Sequence, residues 1–306
     1  MDERLRLTEL GFLQIQERPT TEELQRHYAE RYYQAPESSS YQAAYSDEEI
    51  QYREARAEVK RFAVEPHLGG SRPGSLLDVG CGEGWLLSVF RGGGWDVAGI
   101  DFSSFAISSH NPSLLDRVTT GDVYELLDLL ALDRQAFDLV NLDHVLEHVL
   151  DPVGLLERLR NVLSPGGVLL VDVPNDGNSF QEELFSDAKI ERRWWISPPE
   201  HLNYFTAESL RKVASATDWE VVDMFADFPI DWFLANSHSN YVDDDSLGPA
   251  AHSARLLLSR HIGAHGLNRE LDFYRALAAV GLGRSLTAVL KAAHPTCNDG
   301  AAAGKK

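Results

Sequence analysis

The sequence predicts an α/β fold, a doubly wound and mostly parallel sheet with helical regions at both ends of the chain. Two observations support this fold class. Apolar runs of strand length alternate with segments of helical periodicity through the middle of the chain. In addition, the apolar run over residues 76–87, LLDVGCGEGWLL, breaks into a glycine-rich turn and resumes as a helix. Strand, turn and helix in this order are the unit from which doubly wound sheets are built.

Helical patterning extends over residues 1–66. Thr20 or Thr21 is expected to cap a first helix that runs to Tyr32, because a hydroxyl side chain can accept a hydrogen bond from the first turn. Ser46 is expected to cap a second helix with the sequence DEEIQYREARAEVKRF. The segment between the two helices is rich in tyrosine and serine.

Six strands are predicted in the middle region, residues 67–227. They lie near 75–80, 96–101, 117–121, 137–142, 168–174 and 219–226. Ligands of doubly wound sheets bind beyond the carboxyl ends of the strands. Four residues fall at such ends: Gly80, Asp101, Asp122 and Asp143. Their convergence predicts one ligand-binding edge.

The glycine-rich turn has a spacing that distinguishes between classes of nucleotide-binding protein. Its glycines occupy alternate positions: Gly80, Gly82 and Gly84. They leave room for the backbone to approach a ligand, and Asp101, at the end of the next apolar run, can bind two ribose hydroxyls. A dinucleotide fingerprint needs a glycine where this chain has Trp85. With Asp78 two positions before the first glycine, the pattern is D-x-G-x-G-x-G.

This pattern resembles the first motif of class I S-adenosylmethionine-dependent methyltransferases. Further segments follow in the order and spacing of that family: TTGDVYEL, AFDLVNLDHVLEHVLDP, LSPGGVLLVDVPN and PPEHLNYFTAESL. The resemblance covers about residues 74–227 and is of the small-molecule type, like the ubiquinone O-methyltransferases and sugar-nucleotide methyltransferases. It implies a Rossmann-like methyltransferase fold, methyltransferase activity and S-adenosylmethionine as the cofactor.

The resemblance also implies the residues that bind the cofactor. In the family, an acid at the position of Asp122 reaches the adenine amino group, while neighbouring backbone amides meet the ring. The whole implied set is Asp78, Gly80, Cys81, Gly82, Gly84, Asp101, Phe102, Asp122, Val123 and Asp143. Residues 1–66 are expected to form a helical lid over the cofactor. Candidates to line the lid, or simply to pack its helices on the sheet, are Tyr32, Tyr33, Tyr41 and Tyr45.

Catalysis of methyl transfer needs alignment, desolvation and, for a hydroxyl acceptor, removal of a proton. The candidate catalytic residues follow the fourth strand or return to the same edge: His144, Glu147, His148 and His201. On a helix, the first three would share one face, where they could bind a divalent metal together with His201. Some relatives have E-x-x-E-H and a distant histidine, but this chain has His144 at the first glutamate position. We favour a site without metal, in which Glu147 and His148 bond to neighbouring backbone.

The last region, residues 228–306, departs from the family pattern of a helix and an antiparallel seventh strand. AAHSARLLLSRHI and NRELDFYRALAAVGL have helical periodicity, and 285–293 is interpreted as a third helical segment. The seventh strand is then either displaced or supplied by ARLLLSR. We expect a C-terminal helical extension that shapes an acceptor pocket or a homodimer contact, with a frayed tail from 298.

Charge and hydropathy limit the partners. The formal net charge of −19, from 47 acids against 28 bases, would repel nucleic acid, although a few local arginines could hold a small anionic acceptor. No apolar stretch approaches the roughly 18 residues of a membrane span, and the charged N-terminus is unlike a signal peptide. These features predict a cytoplasmic protein with a small-molecule acceptor, no nucleic acid and no membrane partner.

The sequence therefore predicts O- or N-methylation of a small molecule such as a sugar nucleotide, a glycan precursor or a secondary metabolite. A nicotinamide-dependent oxidoreductase is one alternative, which the glycine spacing disfavours. A non-catalytic S-adenosylmethionine-binding module is the other, which the polar cluster after the fourth strand disfavours.

Overall fold

Seven strands form the central sheet of the computed structural model, which describes residues 2–30, 44–69 and 73–293. From one edge to the other they are β5 (Val118–Thr120), β4 (Asp96–Asp101), β3 (Ser75–Val79), β6 (Phe137–Asp143), β7 (Leu163–Pro174), β10 (Ser285–Ala292) and β9 (Trp219–Ala226). The first five pair in parallel, and β10 is antiparallel to both of its neighbours. The predicted fold class is therefore confirmed.

All six predicted strands are present. The largest difference is in β7, which begins at Leu163 instead of near residue 168. Leu163 pairs with Phe137, and the register between β6 and β7 then shifts before Leu139 pairs with Val168. The strand is therefore longer than the apolar run that begins at Val168.

The prediction of a helix over residues 285–293 is wrong, because Ser285–Ala292 form β10, the seventh strand. This strand lies between β7 and β9, and its first six residues are buried. Burial on both faces produces a continuous apolar run, which periodicity alone cannot distinguish from a buried helix. ARLLLSR lies within helix α9 (Gly248–Gly263) and does not supply the strand.

Helices pack against the sheet. In chain order the others are α1 (Thr21–Glu30), α2 (Asp47–Val64), α3 (Trp85–Gly92), α4 (Phe105–His110), α5 (Val123–Leu132), α6 (Pro152–Leu159), α7 (Ser179–Ser186), α8 (Ala207–Ala216) and α10 (Leu267–Ala279). Ser46 caps α2 as predicted: its hydroxyl accepts from the Glu49 backbone N–H, and the Glu49 carboxylate accepts from the Ser46 N–H. Of the two candidate caps for α1, Thr20 accepts from the Glu23 N–H at 3.2 Å.

A small second sheet, which helical patterning did not predict, ties the N-terminus to the rest of the protein. It consists of β1 (Leu5–Leu7), β2 (Leu13–Ile15) and β8 (Asn203–Tyr204). β2 pairs with β8, and the buried side chains of Gln14 and Asn203 bond at 2.8 Å. Residues near the N-terminus therefore support the PPEHLNYF segment.

Of the four tyrosines proposed for the lid, Tyr45 lies within the described residues and its hydroxyl donates to Glu83 Oε1 at 2.6 Å. The remaining three lie outside the described residues: Tyr32, Tyr33 and Tyr41. No helix in the described ranges is long and apolar enough to cross a membrane.

Candidate active site

A cavity of about 530 Å³ lies at the carboxyl ends of β3, β4, β5 and β6. This volume is typical of sites for small-molecule ligands. All ten residues predicted to bind the cofactor line it: Asp78, Gly80, Cys81, Gly82, Gly84, Asp101, Phe102, Asp122, Val123 and Asp143. Of the four predicted catalytic residues, His144 and His148 also line it, whereas Glu147 and His201 do not.

The glycine turn after β3 brings backbone close to this cavity. Gly80, Gly82 and Gly84 have φ angles of +71°, +50° and +79°, which residues with a side chain rarely adopt. A Cβ atom on Gly80 would overlap Val145, and one on Gly84 would lie 2.8 Å from Ile107 Cδ1. The turn therefore requires glycine both for its conformation and for its space.

Two carboxylates lie beside the turn, and Asp101 bonds to it directly. Asp101 Oδ2 accepts from the Gly82 N–H at 2.8 Å, and Oδ1 accepts from the Ser103 N–H at 3.0 Å. Burial raises the pKa of Asp101. Burial also raises the pKa of Asp78 to about 7, although the Asn141 side chain donates to it at 2.6 Å and opposes this shift. Asp78 therefore titrates near neutral pH.

The other two strand-end acids already have partners within the protein. Asp122 caps α5, where its Oδ1 accepts from the Tyr124 N–H at 2.9 Å. Asp143 Oδ2 is 2.6 Å from Nζ of Lys60, which is also 2.9 Å from Asp172 Oδ2. This buried lysine of α2 forms ion pairs with two acids on neighbouring strands.

The helix expected directly after the fourth strand is absent. Residues 144–148 form a turn, and α6 begins only at Pro152. His144 has a φ of +53°, which ends regular structure at that residue. The Glu147 carbonyl accepts from the Leu202 N–H at 2.8 Å, a residue distant in the chain, instead of from the next helical turn.

The four predicted catalytic residues nevertheless lie together. His144 Nδ1 is 3.0 Å from Glu147 Oε1, and His148 Nε2 is 3.7 Å from the same oxygen. The His201 ring packs edge-on against His148, with 5.0 Å between the ring centres. Glu147 is buried, and its Oε2 has no hydrogen-bond partner in the described part of the chain.

The pKa values of the groups in this cluster shift in different directions. The side chain of His144 is 47% exposed. Its partial desolvation disfavours the charged form, but the hydrogen bond to Glu147 and the surrounding carboxylates outweigh this effect and raise the pKa of His144 to about 10. At His148, burial prevails over the attraction of Glu147 and lowers the pKa to about 4. Burial acts against ionisation of Glu147, but the histidines outweigh it and lower its pKa. At neutral pH, His144 is a cation and His148 is neutral.

Three groups that the sequence did not identify hold the histidines in place. His148 Nδ1 is 2.7 Å from the Glu200 carbonyl, so this nitrogen carries the proton and Nε2 faces Glu147. His201 Nδ1 is 3.3 Å from Oδ2 of the buried Asp176, whose Oδ1 accepts from Arg284 at 2.5 Å. Asp176 follows β7, so the strand-end rule that identified the other acids would also have identified it.

Glu147, His148 and His201 have a donor set that fits a divalent metal. One carboxylate oxygen and two imidazole nitrogens lie within 4.8 Å of one another. The second nitrogen of each histidine bonds to a carbonyl or carboxylate, as is usual for histidines that bind metal. His144 lies outside this set of three, and its Nδ1 is 3.0 Å from Glu147 Oε1.

A family model described as a methyltransferase domain matches residues 47–224, which make up more than half of the chain. The chain therefore belongs to this family and is a class I S-adenosylmethionine-dependent methyltransferase with S-adenosylmethionine as its cofactor. This assignment excludes the two alternative functions, a nicotinamide-dependent oxidoreductase and a non-catalytic S-adenosylmethionine-binding module.

Individual relatives agree with the family. The chain is 34% identical over 169 residues to a ubiquinone biosynthesis O-methyltransferase of Paraburkholderia phytofirmans, covering 54% of this chain and 72% of that protein. It is 31% identical over 112 residues to the protein of the same name from Coxiella burnetii, covering 36% and 47%. A solved S-adenosylmethionine-dependent methyltransferase from Archaeoglobus fulgidus shares the fold, with a TM-score of 0.50, 19% identity and coverage of 79% and 94%.

Proposed function

We propose that this enzyme transfers a methyl group to a hydroxyl group of a small molecule. The observation that carries the proposal is the pair His144 and His148 at the wall of the cofactor cavity, both of them close to the Glu147 carboxylate. A hydroxyl must lose its proton during methyl transfer, whereas a neutral amine need not, so a buried base has a purpose only for the former. The name O-methyltransferase of the Paraburkholderia relative is consistent with an oxygen acceptor.

The cofactor is assigned to the ten lining residues. Asp101 would bind the ribose hydroxyls, and Asp122 with Val123 would meet the adenine, because these residues lie at the ends of β4 and β5. The glycine turn would hold the methionine part against backbone. Asp78, which titrates near neutral pH, would favour the positively charged donor when ionised.

His148 is assigned as the general base. Its Nδ1 proton is held by the Glu200 carbonyl, so Nε2 is the nitrogen that can accept the proton of the acceptor hydroxyl. The imidazolium that forms lies 3.7 Å from Glu147, whose carboxylate stabilises it. The oxygen would then attack the methyl carbon, which a bound S-adenosylmethionine would supply on its sulfonium, and the donor would leave as the neutral thioether when the bond from carbon to sulfur breaks. His144, a cation, stabilises the developing negative charge on the oxygen.

A divalent metal is the second candidate for the same task, and Glu147 Oε2, which lacks a partner among the described residues, favours it. Glu147, His148 and His201 would hold the ion, which when bound lowers the pKa of a coordinated hydroxyl. Dialysis against EDTA separates the two candidates. Activity that survives supports the histidine base, and activity that is lost and returns with Mg²⁺, Mn²⁺ or Zn²⁺ supports the metal.

The experiment for the proposed function is mass spectrometry of reactions with methyl-labelled S-adenosylmethionine and a panel of matched alcohols, phenols and amines. Label on oxygen is expected. Label on amines alone would contradict the proposal and would leave the histidine cluster without a chemical task.

Two further expectations stay predictions, the cytoplasmic location and a homodimer formed through the C-terminal helices. Leu257 and Leu258 of α9 and Phe273 of α10 are exposed and offer an apolar surface for such a contact. Light scattering after size-exclusion chromatography, repeated with Leu257→Asp, tests the dimer directly.

A further inference from the structure

The order of the strands divides the functional edge into two halves. The glycine turn and Asp101 lie at the ends of β3 and β4, on one side of β6. On the other side, Asp172 of β7, Asp227 after β9 and Ser285 of β10 lie at the same edge, because β10 is antiparallel to both neighbours. His144 faces this second half, with Nε2 3.7 Å from Asp172 Oδ1 and 3.5 Å from Ser285 Oγ. We call the edge of β7, β10 and β9 the acceptor half.

Helix α2 presents two cations to the acceptor half, and only one of them forms an ion pair within the described residues. Lys60 pairs with Asp172 at 2.9 Å. Arg56, one turn earlier, forms no hydrogen bond or ion pair with any residue in the described ranges, and solvent does not reach its Nη1. Asp172, Asp227 and Glu270 act on Arg56 electrostatically, but none of them hydrogen-bonds to it. Asp172 bonds to Lys60, and Asp227 bonds to the Ser285 N–H. Keeping a guanidinium nitrogen from both water and an acceptor is costly, which indicates that an anion belongs there.

A second donor without a partner lies beside Arg56. The Tyr274 side chain is fully buried, and its hydroxyl has no partner among the residues that the structure describes. Arg56 Cζ is 5.5 Å from the centre of the Tyr274 ring. Nε of Arg255, from α9, also lacks a partner in the described ranges, and this arginine lies over Tyr52, one turn before Arg56. Buried donors without acceptors are rare in native proteins and need an explanation such as a ligand.

We propose that Arg56 and Tyr274 bind an anionic group of the acceptor, a carboxylate or a phosphate. This inference rests on the proposed function and adds a substrate class to it. An anionic oxygen would accept from Arg56 Nη1 and from the Tyr274 hydroxyl, and a planar guanidinium can bond two such oxygens at once. The carboxylate of S-adenosylmethionine is also an anionic group that an arginine and a tyrosine hydroxyl could bind. However, the arginine of α2 that lines the cofactor cavity is Arg53, so we assign Arg56 to the acceptor.

Thermal unfolding of the full chain, saturated with S-adenosylhomocysteine, tests this site. Sodium phosphate and sodium benzoate serve as anion probes, compared with sodium chloride at equal ionic strength. At saturation we expect either probe to raise the Tm of the wild type by about 3 °C or more, because a ligand stabilises the state that binds it. Arg56→Met should abolish the rise. Arg61→Met, a control on the same helix whose guanidinium pairs with Glu58 and Glu65, should retain it.

The same variants reveal a purely structural role. If Arg56 is a built-in counter-ion for Asp172 and Asp227, Arg56→Met lowers the Tm without any anion, and the proposal is overturned. If Arg56 instead serves to bind a ligand, removing its charge leaves the Tm unchanged or raises it, because no ion pair within the protein is lost. An anion response equal in wild type and Arg56→Met would also overturn the proposal.

Calorimetry of S-adenosylmethionine binding separates the remaining possibilities. We expect Arg56→Met to bind the donor with wild-type affinity, and a loss of tenfold or more would assign Arg56 to the donor carboxylate and overturn the proposal. If the wild type does not bind S-adenosylmethionine at all, the proposed function fails whatever the anions do. If the donor binds normally and neither probe raises the Tm, only the anionic acceptor is refuted.

Discussion

His144 and His148 lie four positions apart, yet they differ in charge. His144 bonds to Glu147 at 3.0 Å, so the carboxylate holds its proton and the pKa is about 10. His148 is 3.7 Å from the same oxygen and more fully buried, and its pKa is about 4. Environments that separate two titrating groups are typical of acid and base assignments in enzymes. One turn therefore supplies both a neutral base and a cation.

His148→Ala should lower kcat by roughly 10²-fold, which is the usual effect of removing a general base. The Kd for S-adenosylmethionine, measured by calorimetry, should change little, because the residue acts on the acceptor proton. Normal turnover with saturating acceptor would show that the cluster is structural and would favour an amine acceptor.

Asp176→Asn should act through the tautomer of His201. Asp176 accepts the Nδ1 proton and leaves Nε2 of His201 without a proton, whereas an asparagine amide could donate to Nδ1 and reverse this arrangement. We expect kcat to fall by about tenfold or more while the KM for the donor stays constant. Asp187→Asn, at an exposed position, is the control. Combining Asp176→Asn with His201→Ala should add little to His201→Ala alone, and full additivity would refute the coupling.

Gly82→Val should abolish binding of S-adenosylmethionine and leave the protein folded. The φ of +50° at this residue resists a β-branched side chain, and the added atoms would enter the cofactor cavity. Circular dichroism checks the fold and titration calorimetry the affinity. Wild-type affinity in a folded variant would show that the turn does not hold the donor.

At the scale of elements, the turn over residues 144–148 makes stability depend on pH. The pKa of His144 is raised from 6.5 to about 10, so above pH 6.5 the folded protein keeps a proton that the unfolded chain loses. This stabilisation is complete below pH 6.5 and is lost as the pH rises through about 10. The free energy of unfolding, measured with urea across this range, should fall more steeply for the wild type than for His144→Gln. Parallel curves would mean that His144 is uncharged in the folded protein.

The glycine turn and its flanking strands could be predicted from the sequence because local rules determine them. Apolar runs mark the strands, and glycines at alternate positions mark the turn between β3 and α3. Lys60 could not be placed in this way. Its partners, Asp143 and Asp172, lie on different strands, and only the fold brings them within 3 Å of one lysine. The turn at His144 likewise depends on bonds from Leu202, a distant residue.

At the scale of the whole molecule, the acceptor half of the edge is completed by a strand close to the C-terminal end of the described chain. β10 contributes Ser285 to the edge and lies between β7 and β9, so β9 contacts the rest of the sheet through it. Local patterning could not predict this strand, since its neighbours come from residues more than fifty positions earlier in the chain. Integrity of the catalytic edge therefore depends on the strand that comes last among those of the described residues.

Val289→Asp in β10 tests this dependence. Val289 is fully buried and paired with both neighbouring strands, so a carboxylate there would be buried without a partner. We expect the free energy of unfolding to fall by about 4 kcal/mol or more, with loss of S-adenosylmethionine binding. Leu257→Asp, at a position of α9 that is 55% exposed, is the matched control and should leave the monomer folded and able to bind the donor. If Val289→Asp kept wild-type stability, β10 would not be an integral part of the sheet, and the acceptor half of the edge would lose its structural basis.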